Sequence, residues 1–304
     1  MNLKNKKIIF IVNPNSGKLS TKNKIKIISR CLPTNPDIIF PKTPDETSHL
    51  SAQAFKKKHI VVACGGDGTV NLVANQAIIH DGTMSILPFG RGNDFAKFIG
   101  INDDKQFIDM LEKPSIYKSE YLELFFKNSY KICLTSVGVG LLSEAAYRAS
   151  KIPLLQGSLL YTIAALSCFI NLKSHSYIVN FNKKIELNEK LTILVVASTP
   201  FAGGGMHIAP EAQKIKNKIN LLYAKKVSRI EAIGLLSKVM SGNHLGHQKV
   251  NNSHIKQCKI TTKETDFWAP LVYGDGEYIG NLPVEIKKGK KYLKLLVPNN
   301  QTIG

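Results

Sequence analysis

Apolar and polar positions alternate in two different rhythms along the chain. In the first third, Lys7–Val12, Asp37–Phe40, His59–Ala63 and Met84–Leu87 are short aliphatic or β-branched runs that predict strands. Thr21–Cys31, Thr47–Lys57 and Val70–His80 lie between them with helical patterning, and Asn93–Phe98 opens a further helix. Strands alternating with helices predict a parallel sheet with crossover helices. After about residue 115 short strand-like runs take over: Tyr121–Phe126, Tyr130–Val137, Ser176–Phe181, Leu191–Ser198, Lys218–Lys225, Gln257–Thr262 and Tyr292–Val297. Turn clusters such as Lys127-Asn128-Ser129 and Asn182-Lys183-Lys184 separate them, and helices are expected at Gly157–Leu172 and Arg229–Met240. The pattern predicts an α/β N-terminal domain followed by a mostly-β domain, with no internal repeat or low-complexity linker.

Two apolar stretches bear on the membrane question. The run before Asn13 is five residues long, too short for a signal-peptide core, and reads as a first strand. Ile152–Leu172 has no charge, lies between Lys151 and Lys173, and is long enough to span a bilayer. Pro153, Gln156, Gly157, Ser158, Thr162, Ser167 and Asn171 dilute it, so a helix buried in the protein or leaning on a membrane is the better reading.

A length of 304 residues suits two domains. The balance of 41 Lys+Arg against 22 Asp+Glu, a formal charge of +19, favours anionic partners. Lys, Asn and Ile are all abundant, so compositional bias competes with a functional reading of that charge. No recognition motif or aromatic platform accompanies it, which argues against nucleic acid. Cys31, Cys64, Cys133, Cys168 and Cys258 are scattered without a C-x-x-C pair, which fits a reducing cytoplasm rather than a disulfide framework or structural zinc site.

The chemistry concentrates in three glycine-bearing turns. Val61–Asn71 reads V-V-A-C-G-G-D-G-T-V-N, an apolar strand ending on glycines and running into a helix. Gly65, Gly66 and Gly68 let backbone N–H groups approach phosphate oxygens, and the helix that follows directs its positive end there. Asp67 is placed to hold a magnesium ion that travels with a nucleotide, and Thr69 to offer its hydroxyl to a phosphate. A tight turn with Asp67 as helix N-cap is the competing explanation. Asn13–Gly17 follows the first strand and Pro88–Phe95 follows the Met84–Leu87 strand, so three such turns would cluster along one sheet edge. No P-loop, nucleophile elbow or H-E-x-x-H helix is present, and the glycines at 138 and 140 lack the third glycine of a dinucleotide fingerprint. His244 and His247 have no evident third metal ligand and read as structural, and His207 as a packed polar residue.

Taken together, N-P-N-S-G at 13–17, G-G-D-G-T-V-N at 65–71 and P-F-G-R-G-N-D-F-A at 88–96 resemble the bacterial diacylglycerol kinase-like lipid kinases, relatives of sphingosine and ceramide kinases. Gly203–Met206, Ala209–Ala212, Gly242–His244 and Gly274–Glu277 look like that family's later markers, so the likeness runs nearly end to end. It implies an α/β N-terminal nucleotide-binding domain with a parallel sheet, of the NAD kinase/diacylglycerol kinase type, and a C-terminal mostly-β sandwich domain. The expected division is 1–118 for ATP binding and catalysis and 119–289 for the lipid substrate, with a tail from about 290 to 304 packing back on the first domain.

The resemblance further implies transfer of the ATP γ-phosphate to a lipid hydroxyl. Asn13, Ser16, Gly65, Gly66, Gly68, Thr69, Gly90, Arg91 and Asn93 would surround the nucleotide. Asp67 and Asp94 would organise Mg2+, Asp275 would act as general base, and Glu277 would orient or tune it. In isolation Gly274–Glu277 also reads as a polar hairpin turn. Four positions depart from the family pattern: Arg91 in place of threonine, Leu72 in place of glutamate, Thr199-Pro200 in place of Asn-Gly, and Lys216-Asn217-Lys218 in place of an acidic Asp-Asp-Gly turn. Lysine does not ligate magnesium, so an auxiliary metal site there is expected to be missing. The expected protein is a cytoplasmic lipid kinase of phospholipid metabolism, peripheral on an anionic membrane surface, with ATP and a diacylglycerol-like lipid as its partners and a homo-oligomer left open. The alternatives are a pseudokinase that binds nucleotide or lipid without turnover, and an NAD kinase.

Overall fold

The computed structural model describes residues 6–32, 36–152, 155–181 and 185–299, so the expected turn at 182–184 lies outside the described residues. The chain divides into two compact units, one running to Glu120 and resuming at Lys290, the other Tyr121–Gly289.

The first unit opens with β1 (Ile8–Val12), α1 (Thr21–Cys31), β2 (Asp37–Ile39), α2 (Pro44–Lys56) and β3 (Ile60–Gly65). It continues through α3 (Asp67–Ile79), β4 (Thr83–Pro88), α4 (Asp94–Phe98), α5 (Asp104–Glu112) and β5 (Pro114–Ser119). The last strand among the described residues, β17 (Leu293–Pro298), enters the same sheet, whose order is β2-β1-β3-β4-β17-β5. All pairings are parallel except β17 with β5. Every residue of β3 is buried, as a central parallel strand covered on both faces requires. Helix α5 has no counterpart in the sequence reading; Asp103 caps it by accepting from the Gln106 N–H, and Phe107 and Met110 anchor it.

The second unit is an antiparallel β-sandwich. Its strands are β6 (Leu122–Phe125), β7 (Tyr130–Cys133), β8 (Ser136–Gly140), β9 (His175–Phe181), β10 (Ile185–Ala197) and β11 (Ile219–Lys225), followed by β12 (Val250–Ile255), β13 (Gln257–Thr261), β14 (Leu271–Gly274), β15 (Glu277–Asn281) and β16 (Val284–Lys288). The pairing path β15-β14-β8-β10-β9-β13-β16-β6-β7 branches at β10 to β11 and β12. Inward residues such as Tyr177, Val179, Leu194, Val196, Leu221, Ile260 and Ile286 form its core. Among the described residues the α-helices α6 (Leu141–Ser150), α7 (Gly157–Phe169) and α8 (Arg229–Ser241) accompany it. The uncharged stretch at 152–172 thus supplies the 13-residue α7, and among the described residues no helix is long and apolar enough to cross a membrane.

Candidate functional site

Strands β1, β3 and β4 are neighbours, so the three glycine-bearing turns that follow them emerge side by side from one edge of the sheet. Backbone bonds stitch them together. The Asn13 N–H donates to the Cys64 carbonyl at 2.9 Å, and the Phe89 and Gly90 N–H groups donate to the Gly65 carbonyl at 2.9 and 3.1 Å. The approach is too close for side chains. A Cβ on Gly90 would lie 2.3 Å from the Gly66 Cα, and one on Gly17, at φ +63, would lie 1.9 Å from the Phe89 carbonyl oxygen.

Side chains lock the same turns. Asp67 Oδ2 accepts from the Asn93 N–H at 2.9 Å, bridging the second turn to the third. Asn93, in the left-handed region at φ 57, accepts from the Gly90 N–H and donates to the Gly90 carbonyl, both at 3.0 Å. Asn13 Nδ2 donates to Thr69 Oγ1 at 3.2 Å, bridging the first turn to the second. Gly66 is the N-cap of α3 and no side chain caps the helix. Asp67 is therefore its first helical residue, and the positive end of α3 opens into the turn cluster.

A residue absent from the sequence reading organises the first turn. Lys24 of α1 is fully buried, and its Nζ contacts the carbonyls of Asn13, Pro14 and Ser16 at 2.9, 2.9 and 2.7 Å and Ser16 Oγ at 3.2 Å. It also lies 5.8 Å from the centre of the Phe89 ring in the third turn. Loss of water holds this ammonium below the ordinary lysine range.

In the second unit, Gly274–Glu277 is a hairpin turn joining β14 to β15, with Asp275 at φ 51 and Gly276 at φ 81. Two successive positive φ angles are those of a type I′ turn. The Asp275 carboxylate points at the β7–β8 connection. Oδ1 accepts from the Thr135 N–H (2.8 Å), Thr135 Oγ1 (2.7 Å) and Cys133 Sγ (2.9 Å), and Oδ2 accepts from the Leu134 N–H (2.8 Å). Burial first, then the charge of Asp275, pushes the Cys133 thiol far up, so it stays protonated and remains a donor. Glu277 is exposed at the end of the hairpin, yet crowding of its carboxyl by neighbouring protein, and then the Asp275 charge, push it above the ordinary range.

Residues 7–118 match the diacylglycerol kinase catalytic domain, and residues 135–297, more than half of the chain, match the YegS C-terminal NAD kinase β-sandwich-like domain. This chain belongs to the diacylglycerol kinase and YegS-like family. A diacylglycerol kinase of Bacillus subtilis (strain 168) is 23% identical over 306 residues, covering 97% of this chain and 98% of that protein. One from Mycobacterium tuberculosis (strain ATCC 25618 / H37Rv) is 24% identical over 308 residues, with coverages of 97% and 96%. The crystal structure of a diacylglycerol kinase from Bacillus anthracis str. Sterne shares the fold with a TM-score of 0.70 at 15% identity, over 97% of this chain and 98% of that one. Yeast NADH kinase in complex with NADH shares the fold more distantly, with a TM-score of 0.51 at 11% identity, over 98% and 84% of the two chains.

Within this family chain, Asn13, Ser16, Gly65, Gly66, Asp67, Gly68, Thr69, Gly90, Arg91, Asn93 and Asp94 all fall in or beside the interlocked turns. Two are turned inward. Thr69 is 6% exposed with its hydroxyl on Asn13, and Asp94, first residue of α4, is 7% exposed. His244 is buried, its Nε2 2.9 Å from the Ile208 carbonyl, while His247 Nδ1 accepts from the Lys249 N–H. The His207 ring stacks on Phe201 at 5.0 Å.

Proposed function

We propose that this lipid kinase-family chain transfers the γ-phosphate of ATP to the hydroxyl of a diacylglycerol-like lipid. The observation that carries the reading is the triple turn, in which glycine backbones packed to contact surround the uncapped start of α3. Such a cradle suits the phosphates of a nucleotide, because the N–H groups and the helix end supply positive potential without bulk. In this reading Gly65, Gly66, Gly68 and Gly90 face the phosphates, while Asn13, Asn93 and Thr69 hold the turns in register. Arg91 adds a cation that can pair with phosphate oxygens.

The donor set also fits magnesium. The ion takes hard oxygen ligands and keeps most of them from phosphates and water, so one or two carboxylates suffice. Asp67 meets that need, its carboxylate fixed by Asn93 at the edge of the cradle; the buried Asp94 would support from behind. When bound, the ion neutralises charge on the β- and γ-phosphate oxygens.

Asp275 would take the proton of the attacking lipid hydroxyl as its oxygen bonds to the γ-phosphorus and the bridging oxygen leaves with ADP. The bonds from Thr135 and Cys133 to Oδ1 and from Leu134 to Oδ2 would hold the carboxylate in place for that transfer. Glu277, at the end of the same hairpin, would orient or tune Asp275.

Transfer of labelled γ-phosphate to a panel of lipids in mixed micelles, wild type beside Asp275→Asn, tests this. The wild type should label a diacylglycerol-like lipid, and the variant should retain ATP binding while losing about a hundredfold or more in turnover. ATP binding without transfer to any acceptor would indicate a pseudokinase, and transfer to NAD alone an NAD kinase.

A further inference from the structure

The β7–β8 connection is held from two sides. Leu134 and Thr135 are 1% and 3% exposed, so their backbone polar groups need partners inside the protein. Both N–H groups donate to the Asp275 carboxylate, Leu134 to Oδ2 and Thr135 to Oδ1, each at 2.8 Å. Both carbonyls meet the chain just past the end of β10 instead. The Ser198 hydroxyl donates to the Leu134 carbonyl at 2.7 Å. The N–H groups of Ser198 and Thr199 donate to the Thr135 carbonyl at 2.8 and 3.2 Å. The donors of the connection thus serve Asp275, and its acceptors are served by Ser198 and Thr199.

Ser198 is 4% exposed and belongs to none of the glycine-bearing motifs. It stands directly before Thr199-Pro200, one of the places where the sequence departs from the family pattern. Its hydroxyl acts on a single peptide group, because the Leu134 carbonyl and the Thr135 N–H share one. That group is planar and nearly rigid, so fixing its oxygen fixes the direction of its N–H. A bond accepted at the carbonyl also polarises the peptide and strengthens the bond that its N–H donates, by about 10–30%.

The remaining contacts make this one peptide matter more. Thr135 Oγ1 and Cys133 Sγ, which also donate to Asp275 Oδ1, belong to the same connection. The Asp275 N–H donates to the Ser136 carbonyl at 3.2 Å, which ties the turn itself to the next residue along. Taking away the Ser198 hydroxyl leaves the Leu134 carbonyl without that buried donor, and an unmet buried group costs more than the bond was worth. The connection recovers a partner by turning, and turning draws its donors off the carboxylate.

We propose that Ser198 is a positioning residue for phosphoryl transfer: through the Leu134–Thr135 peptide it aims the Asp275 carboxylate at the hydroxyl that gives up its proton. The role rests on the reading of Asp275 as the general base given above. Ser198 exchanges no proton with the substrate; it holds the acceptor still while the lipid oxygen bonds to the γ-phosphorus.

Ser143 supplies the comparison. It is fully buried, and its hydroxyl reaches the carbonyls of Gly138 and Leu271 at 2.9 Å each, in peptides other than those that donate to Asp275. Transfer of γ-phosphate to a diacylglycerol in mixed micelles is measured for the wild type, Ser198→Ala, Ser198→Cys, Ser143→Ala, Asp275→Asn and Ser198→Ala/Asp275→Asn. Melting curves and the amide proton resonance of Thr135 are recorded for each. Ser198→Ala should lower kcat by about five- to tenfold, with KM for ATP and for lipid within about twofold, and should move the Thr135 amide proton upfield. Ser198→Cys keeps a weaker donor and should fall between wild type and alanine, and it carries the test if the alanine variant does not fold. Ser143→Ala should melt at least as early as Ser198→Ala yet keep kcat and the Thr135 resonance. The double variant should turn over within about twofold of Asp275→Asn alone, as two residues acting in series require. A loss of kcat in the Ser198 variants that follows melting as it does in Ser143→Ala, or one that multiplies in full onto Asp275→Asn, would overturn the role and leave the kinase reading intact. A wild type that transfers phosphate to no acceptor would overturn the kinase reading and this role with it.

Discussion

Lys24 occupies the buried side of α1 together with Ile28 and Cys31, a lysine where the helical spacing calls for an aliphatic. Its ammonium replaces water for three carbonyls of the first turn, so truncation leaves those carbonyls without their donor. Lys24→Met should lower stability by about 1–3 kcal/mol in thermal melts and raise KM for ATP more than it lowers kcat. Cys133 offers a milder test of the same logic. Cys133→Ser keeps a donor on Asp275 Oδ1 and should stay near wild type in turnover. Cys133→Ala removes one of the bonds to that carboxylate and should lower turnover by several-fold, at a cost of about 1 kcal/mol in stability. Neither residue belongs to a motif. Lys24 was legible only as a charge at an apolar position of the helical wheel. Cys133 was not legible at all, because its partner lies 142 residues away.

The glycine turns show what an element-level reading captures. The strands before them declared themselves through apolar runs, and their adjacency followed from the alternation with helices. Their contact at backbone distance did not, since it depends on the register that pairs Gly65 with Pro88. Gly90→Ala would drive a methyl into the Gly66 backbone and open the cradle. ATP binding measured by calorimetry should fall by at least about a hundredfold, while the β-sandwich keeps its melting transition. The Gly274–Glu277 segment carried two readings in the sequence, a hairpin turn and a catalytic motif. The structure shows the hairpin, and the same turn geometry aims the Asp275 carboxylate at Leu134 and Thr135. Helix α6 escaped the sequence reading because it begins directly on the glycine that ends β8, with no Ser, Thr, Asp or Asn cap to announce it. The motif marks Thr69 as a phosphate donor, and the structure adds that its hydroxyl oxygen accepts from Asn13 Nδ2.

Across the whole molecule, acid should act on the second unit through His244. Burial first, helped weakly by the neighbouring His207, holds its imidazole below the ordinary histidine range against the opposing bond to the Ile208 carbonyl. The unfolded chain therefore binds more protons than the folded one just below about pH 6.5, so stability falls as pH drops through that window and is regained above it. Melting curves between about pH 7 and pH 5 should show this loss in the wild type and a smaller one in His244→Gln, whose amide keeps a donor for the Ile208 carbonyl. Placing β17 between β4 and β5 has a consequence for biosynthesis. Residues 121–289 form their unit from one uninterrupted stretch, whereas the sheet that bears the glycine turns lacks an inner strand until synthesis has passed that stretch and reached Leu293–Pro298. The unit begun first is thus completed after the other, and on the ribosome β4 and β5 wait with unsatisfied edges for a partner about 200 and about 170 residues downstream.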